Sequence, residues 1–276
     1  MDITKIYLES NEFFHEEIPK TTIYLHHTAG SYRPDYVVNG WERDKTSSGA
    51  ARRVGTAYVI GGMSTRSGNK DWDGKVVEAF PPEKWAHHLG IRASNNSLLN
   101  KRSVGIEICN YGPLTKGVDG EFYTYVHSKV PKNQVVDLGF EFRGYQYYHA
   151  YTDAQIEATK NLLYLLAGKF NIDLAKGMKT MLNADSYTKP ANQTTEELQK
   201  WLNQHGFYGR NGKALVEDGE YGANTEFASM AYMDSKRNPV RAFLLDESAL
   251  NGAPGVWTHT NVRKDKFDLS PQPKMI

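Results

Sequence analysis

Apolar, β-branched and aromatic residues over Thr21 to Leu25 predict a short strand that delivers His26 and His27 to its C-terminal end. Thr28, Ala29 and Gly30 then turn the chain away. Side chains alternate across a strand, so the two imidazoles point to opposite faces, and one is expected to serve a site while the other packs behind it. Ile6 to Phe14 reads as a short strand and loop, and Pro34 to Arg43 as a helix behind a first-turn proline. Val54 to Ile60 and Lys75 to Phe80 are two further strands, expected to be sheet neighbours joined by a long glycine-rich excursion. The polar stretch Asn95 to Lys101 leads into a fourth strand, RSVGIEICNYG, whose Glu107 alternates with Val104, Ile106 and Ile108 and so faces away from them. A carboxylate there is either solvated on an open face or held in a polar cleft for use.

Residues 111 to 150 form a long aromatic excursion, read as short strands around Glu121 to Val126 and Gln134 to Phe142 that wall a groove or cover the sheet. Thr152 with Gln155 makes a capping box. Ile156, Thr159, Leu163, Leu166 and Phe170 then recur at helical spacing, predicting an amphipathic helix against the sheet. After Ile172 the pattern changes. A second capping box, Thr194 with Glu197, precedes the helical face Leu198, Trp201 and Leu202, and Asn224 is expected to cap a further helix through Phe227, Ala228 and Ala231. This small helical unit within 173–251 has little core of its own and is expected to lean on its host. Val256 to His259 is a last strand with a terminal histidine, followed by a proline-bearing tail.

Composition narrows the class. The 276 residues carry 33 basic and 32 acidic side chains, a balance that offers no electrostatic footprint for nucleic acid. The lone cysteine, Cys109, excludes an internal disulfide framework and a thiolate-rich zinc site. The N-terminal segment MDITKIYLESNEFFHEE has no basic region followed by an apolar run, so no signal peptide is expected, and no run approaches the roughly 18 apolar residues of a membrane span. The 17 Tyr and 5 Trp suit a carbohydrate or peptide groove as well as ordinary packing. The histidine pair His87 and His88 lies in a loop between Trp85 and Gly90, a better setting for function than a core. His26, His259 and Asp268 would suit a zinc ion (Zn2+) with one tetrahedral position left open, although no short signature such as His-Glu-x-x-His supports them.

The stretches YLHHTAG, VGTAYVI, WAHHLG, KRSVGIEI and THTNVRKDKFDLSPQP occur in the order found in zinc-dependent N-acetylmuramoyl-L-alanine amidases. The sequence resembles that family, which includes phage lysozymes of the T-odd type and shares its fold with peptidoglycan recognition proteins. The resemblance covers residues 20–110, the helix at 152–171 and the tail from 255. It implies an α/β fold with a central mixed β-sheet flanked by helices, built from residues 1–172 and 252–276. The helical subdomain 173–251 would be inserted between them, and this segment is weakly similar to a peptidoglycan-binding repeat. Transferred by position, the resemblance implies His26, His259 and Asp268 as zinc ligands, Glu107 as general base and Lys266 as the charge-stabilising lysine. His88, with Trp85 and Asn110, makes up the implied substrate-contacting set.

Two departures stand out. Thr56-Ala57 replaces the family's Tyr-His, and Asp-Leu-Ser-Pro replaces Asp-Pro-Gly-Pro. The implied activity is cleavage of the amide joining N-acetylmuramic acid to L-alanine in peptidoglycan or muropeptides. A phage endolysin is expected, acting as a monomer, made in the host cytoplasm and released to the wall by a separate holin. The alternatives are a non-catalytic peptidoglycan binder or structural virion protein on the same fold, and a cytoplasmic muropeptide-recycling amidase.

Overall fold

The strand at the histidine pair is buried along its whole length, which only a sheet covered on both faces allows. In a computed structural model, residues 1–275 are described. In chain order the first half comprises β1 (Ile3–Lys5), β2 (Thr22–His27), α1 (Pro34–Arg43), β3 (Tyr58–Ile60), β4 (Val76–Glu78), α2 (Asn96–Lys101) and β5 (Ser103–Ile108). There follow β6 (Pro113–Lys116), β7 (Phe122–Tyr123), β8 (Lys129–Val130), β9 (Val135–Phe142), β10 (Tyr145–His149) and α3 (Asp153–Phe170). The chain closes with α4 (Met178–Leu182), α5 (Thr195–Gln204), α6 (Ala223–Arg237), α7 (Glu247–Leu250) and β11 (Gly255–Thr258).

The central sheet has the order β1-β4-β3-β5-β2-β11 and is mixed: β3 and β4 run antiparallel, as their expected neighbour relation requires, and the other pairs are parallel. Parallel pairing in register puts His26 beside Glu107 and Leu25 beside both Ile106 and Thr258. The odd-numbered side chains of β2 face α3, where Leu25 shares a small hollow with Ile156, Thr159 and Leu163. Its even-numbered side chains face the opposite side, which carries the cleft. The capping box at Thr152 and Gln155 forms as expected, and Leu162 and Leu166 of α3 are wholly buried, each burial stabilising by roughly 1.5–3 kcal/mol.

Two local expectations are corrected and one unassigned stretch gains an element. Val54 and Gly55 leave the sheet and pair with His87 instead, so regular strand begins only at Tyr58. The polar stretch before β5 is helical, because Leu99 and Asn100 supply a buried face that its composition hides. Asn224 does not cap α6: its side-chain oxygen accepts from the Arg210 amide, and Gly222 stands at the cap without a side-chain bond. The aromatic excursion forms a sheet of its own, β8-β7-β6-β10-β9.

The helices after α3 divide between two cores. Leu198, Trp201, Leu202, Phe207, Leu215, Ala228 and Tyr232 form a small separate cluster. Met178, Met181, Phe243 and Ala249, although within 173–251, belong to the main core. Among the described residues, no helix is long and apolar enough to cross a membrane.

Candidate active site and metal centre

Four segments deliver the site. The C-terminal end of β2 carries His26, and its in-register neighbour on β5 carries Glu107. β11, on the other side of β2, ends at Thr258 and places His259 at the same level. The tail then folds back, with the Thr260 amide donating to the Asp268 carbonyl at 3.0 Å. His26 Nδ1 lies 3.0 Å from His259 Nδ1 and 3.3 Å from Asp268 Oδ2, and His259 Nδ1 lies 2.9 Å from the same oxygen. All three side chains are buried.

The donor set fits a cation. His259 Nε2 is 2.8 Å from the Leu89 carbonyl, which can only accept, so Nε2 carries a ring proton and Nδ1 is the nitrogen turned to Asp268. Burial together with neighbouring His259 pushes the His26 pKa down to about 4, so His26 is neutral. Burial alone would raise the Asp268 carboxyl, but His259 and His26 beside it hold it well below the usual carboxylate range. Three atoms of metal-ligand type, two imidazole nitrogens and a carboxylate oxygen, lie within 4.8 Å of one another and suit a positive ion. Two imidazoles and a carboxylate are a catalytic zinc set with an open position, and zinc bonds of about 2.0–2.1 Å set tetrahedral donors on the order of 3.3 Å apart.

A cleft of about 850 Å³ opens over this triad. Glu107 and Lys266 line it together with His26, His259, Asp268 and His88, so the structure brings six of the eight expected residues into one place. Burial, reinforced by the nearby Asp268 charge, raises the Glu107 pKa well above its ordinary value, and Glu107 Oε2 is buried without a hydrogen-bond partner. Such a carboxylate is primed to take a proton. Thr56, at the place of the family's tyrosine, lines the cleft with its hydroxyl donated to the Tyr58 carbonyl at 2.9 Å.

The remaining two are elsewhere. Trp85 is buried and stacked on Phe14, with ring centroids 3.8 Å apart, outside the cleft. Asn110 is also buried. Its amide donates to the His149 and Ala150 carbonyls at 3.1 and 3.3 Å, while its oxygen accepts from the Gly112 amide at 2.7 Å, so it ties the second sheet to the end of β5. His27 turns to the α3 side, with Nδ1 2.9 Å from the Tyr151 hydroxyl.

Of the two roles expected of residues 111 to 150, walling a groove or covering the sheet, the first is seen. Tyr111, Tyr123, Tyr125 and Tyr145 come from the second sheet and its approach, and Phe267 from the tail. The dense aromatic spacing of residues 111 to 150 was the available signal; only the pairing of β6 to β10 shows that it turns toward the site.

Comparison with known proteins adds the family. A sequence model of the N-acetylmuramoyl-L-alanine amidase family matches residues 17–205. The match ends before β11 and does not reach His259 and Asp268, which the structure places beside His26. Comparison with curated sequences gave no match. Among solved structures the chain is similar to PlyL, at 12% identity over 63% of this chain and 77% of that one, with a TM-score of 0.37. It is similar to the N-acetylmuramyl-L-alanine amidase AmiD from E. coli at 14% identity, covering 80% and 91% of the two chains, with a TM-score of 0.36. For AMPDH3 from Pseudomonas aeruginosa the identity is 16%, the coverage 92% and 87%, and the TM-score 0.35. Scores of that size carry no argument of their own. The family match spans well over half of the sequence, and the chain belongs to the N-acetylmuramoyl-L-alanine amidase family.

Proposed function

We propose that the chain hydrolyses the amide between the lactyl group of N-acetylmuramic acid and L-alanine in peptidoglycan, with zinc held by His26, His259 and Asp268. The observation that carries this reading is the convergence of three buried atoms of metal-ligand type in a cleft also lined by a buried, unpartnered carboxylate, Glu107. When bound, zinc supplies Lewis acidity, polarising a carbonyl and acidifying water. Glu107 takes the proton of the attacking water at its free Oε2 and returns it to the alanine nitrogen as the C–N bond breaks. The water oxygen stays on the lactyl carboxylate. Lys266 in the same cleft offsets charge gathering on the carbonyl oxygen. The tyrosines of the second sheet offer flat apolar faces to the substrate.

The test is release of new L-alanine amino termini from peptidoglycan, with and without a chelator. No release from any wall type refutes the enzymatic reading in favour of a binder. Release undiminished by metal removal refutes the zinc assignment. The endolysin role is part of this proposal: turnover of intact sacculi supports it, and turnover confined to small soluble muropeptides replaces it with a recycling role. The segment 173–251 is proposed as a wall-binding unit. A hollow of about 480 Å³ between its 189–195 loop and Tyr221 is the surface on which that role can be tested.

A further inference from the structure

Two adjacent residues of one loop touch both histidines of the candidate metal centre. His88 Nδ1 lies 3.0 Å from His26 Nε2, and the Leu89 carbonyl lies 2.8 Å from His259 Nε2. The loop is pinned on α2: Asn100 Oδ1 accepts from the His88 amide at 2.8 Å and the Leu89 amide at 3.1 Å, and the Asn100 amide donates to the Asn96 carbonyl at 2.7 Å.

The bond directions follow from the Ser103 end. Ser103 Oγ lies 2.7 Å from the Leu99 carbonyl, which only accepts, so the single hydroxyl proton points there. Ser103 Oγ must then accept from His88 Nε2 at 2.9 Å. As a ligand through Nδ1, His26 carries its ring proton on Nε2, and His88 Nδ1, 3.0 Å away on a ring whose Nε2 donates to Ser103, is the acceptor that faces it. The His26 Nδ1 lone pair is then aimed at Asp268 and His259. β5 is cut to match: on the face that carries Glu107, Ser103 holds the His88 ring, and a Cβ on Gly105 would come within 3.0 Å of His88 Nδ1.

We propose that His88 is a positioning residue for the metal centre, in place of the substrate contact expected of it: the relay Leu99, Ser103, His88 fixes the His26 tautomer, while the Asn100-pinned loop fixes that of His259 through Leu89. The inference rests on the proposed assignment of His26, His259 and Asp268 as ligands. Outer partners of ligand histidines commonly change metal affinity 10- to 100-fold, and raise the ligand's basicity while holding its ring.

The experiment is zinc competition against a chromophoric chelator, using the full chain and the variants His88→Asn, His88→Gln and His259→Ala. Asparagine places its amide oxygen near the former Nδ1 and keeps an acceptor for His26; glutamine reaches only toward the former Nε2 and Ser103. The inference expects His88→Asn within about threefold of wild-type affinity and His88→Gln weaker by roughly 10- to 100-fold, with both metal-free variants melting within a few degrees of each other. Equal affinities for the two variants, whether both strong or both weak, overturn it while leaving the ligand assignment standing. A wild-type chain that binds no zinc, or binds as well after His259→Ala, overturns the ligand assignment itself.

Discussion

Glu107→Gln is the substitution that separates the proposed chemistry from the fold. Glutamine has nearly the same shape, and Glu107 Oε2 has no hydrogen bond to lose, so substrate binding and packing should survive. A positioned general base contributes about 10²- to 10⁴-fold, equivalent to about 2.7–5.4 kcal/mol of barrier, and that is the expected loss in kcat with KM changed little. The raised pKa of Glu107 adds a signature. Wild-type activity should fall as pH drops through the folded-state pKa, above the ordinary carboxylate range, and the residual activity of the glutamine variant should lack that limb. Stability of the metal-free chain should respond with the opposite sense. A carboxyl whose pKa is raised on folding contributes stability fully present below its unfolded value of about 4.3, and loses it as pH rises through the folded value. The variant cannot lose it, so in that window and above it should match or exceed the wild type in urea. The assay is initial rate of L-alanine amino-terminus release across pH, beside urea denaturation of chelator-treated protein. A variant retaining a third or more of wild-type kcat would refute Glu107 as base, and a variant markedly less stable at neutral pH would refute its burial without a partner.

His259→Ala removes one donor, leaves the Leu89 carbonyl without its partner and frees Asp268 from its 2.9 Å contact; the purified variant should retain no stoichiometric zinc by elemental analysis and show background activity. Gly177→Ala tests the seam between α4 and the sheet: at φ +83° a Cβ would lie 2.2 Å from the Val256 carbonyl. A cost of order 1–3 kcal/mol from strain alone should lower the melting midpoint by several degrees, and an unchanged midpoint would refute that close approach. Tyr221→Ala, made in the Glu107→Gln background, should weaken pelleting with insoluble wall if the 173–251 segment binds it, and unchanged pelleting would exclude the Tyr221 hollow as the binding surface.

The site was legible where a side chain's direction follows from strand alternation. His26 and Glu107 sit at the ends of two runs whose apolar pattern is strong, and parallel pairing in register brings them together. Resemblance supplied His259 and Asp268, which no local pattern could have linked to His26 across 233 residues. Trp85 and Asn110 misled because an aromatic ring and an amide beside a cleft can equally pack and tie: one stacks on Phe14, the other satisfies backbone groups where two sheets meet. The ring of His88 reaches His26, a contact that its own loop does not announce. Its contact with His26 depends on the room left by Gly105 and on Ser103, features of a neighbouring strand that the loop's own sequence does not reveal. The helix α2 was hidden by its composition, since a six-residue element buries too little to show a period.

The edge position of β11 has a kinetic meaning. Its pairing with β2 closes a loop of more than two hundred residues, and such closure is entropically costly and slow relative to local pairing. His26 and Glu107 can be in place long before His259 and Asp268 arrive. During synthesis or refolding, metal capture should therefore be among the last events and follow the bulk of secondary structure. A spectroscopic metal at this centre would time the joining of the two ends of the sheet, and the chain would stay hydrolytically silent until its final strand was seated.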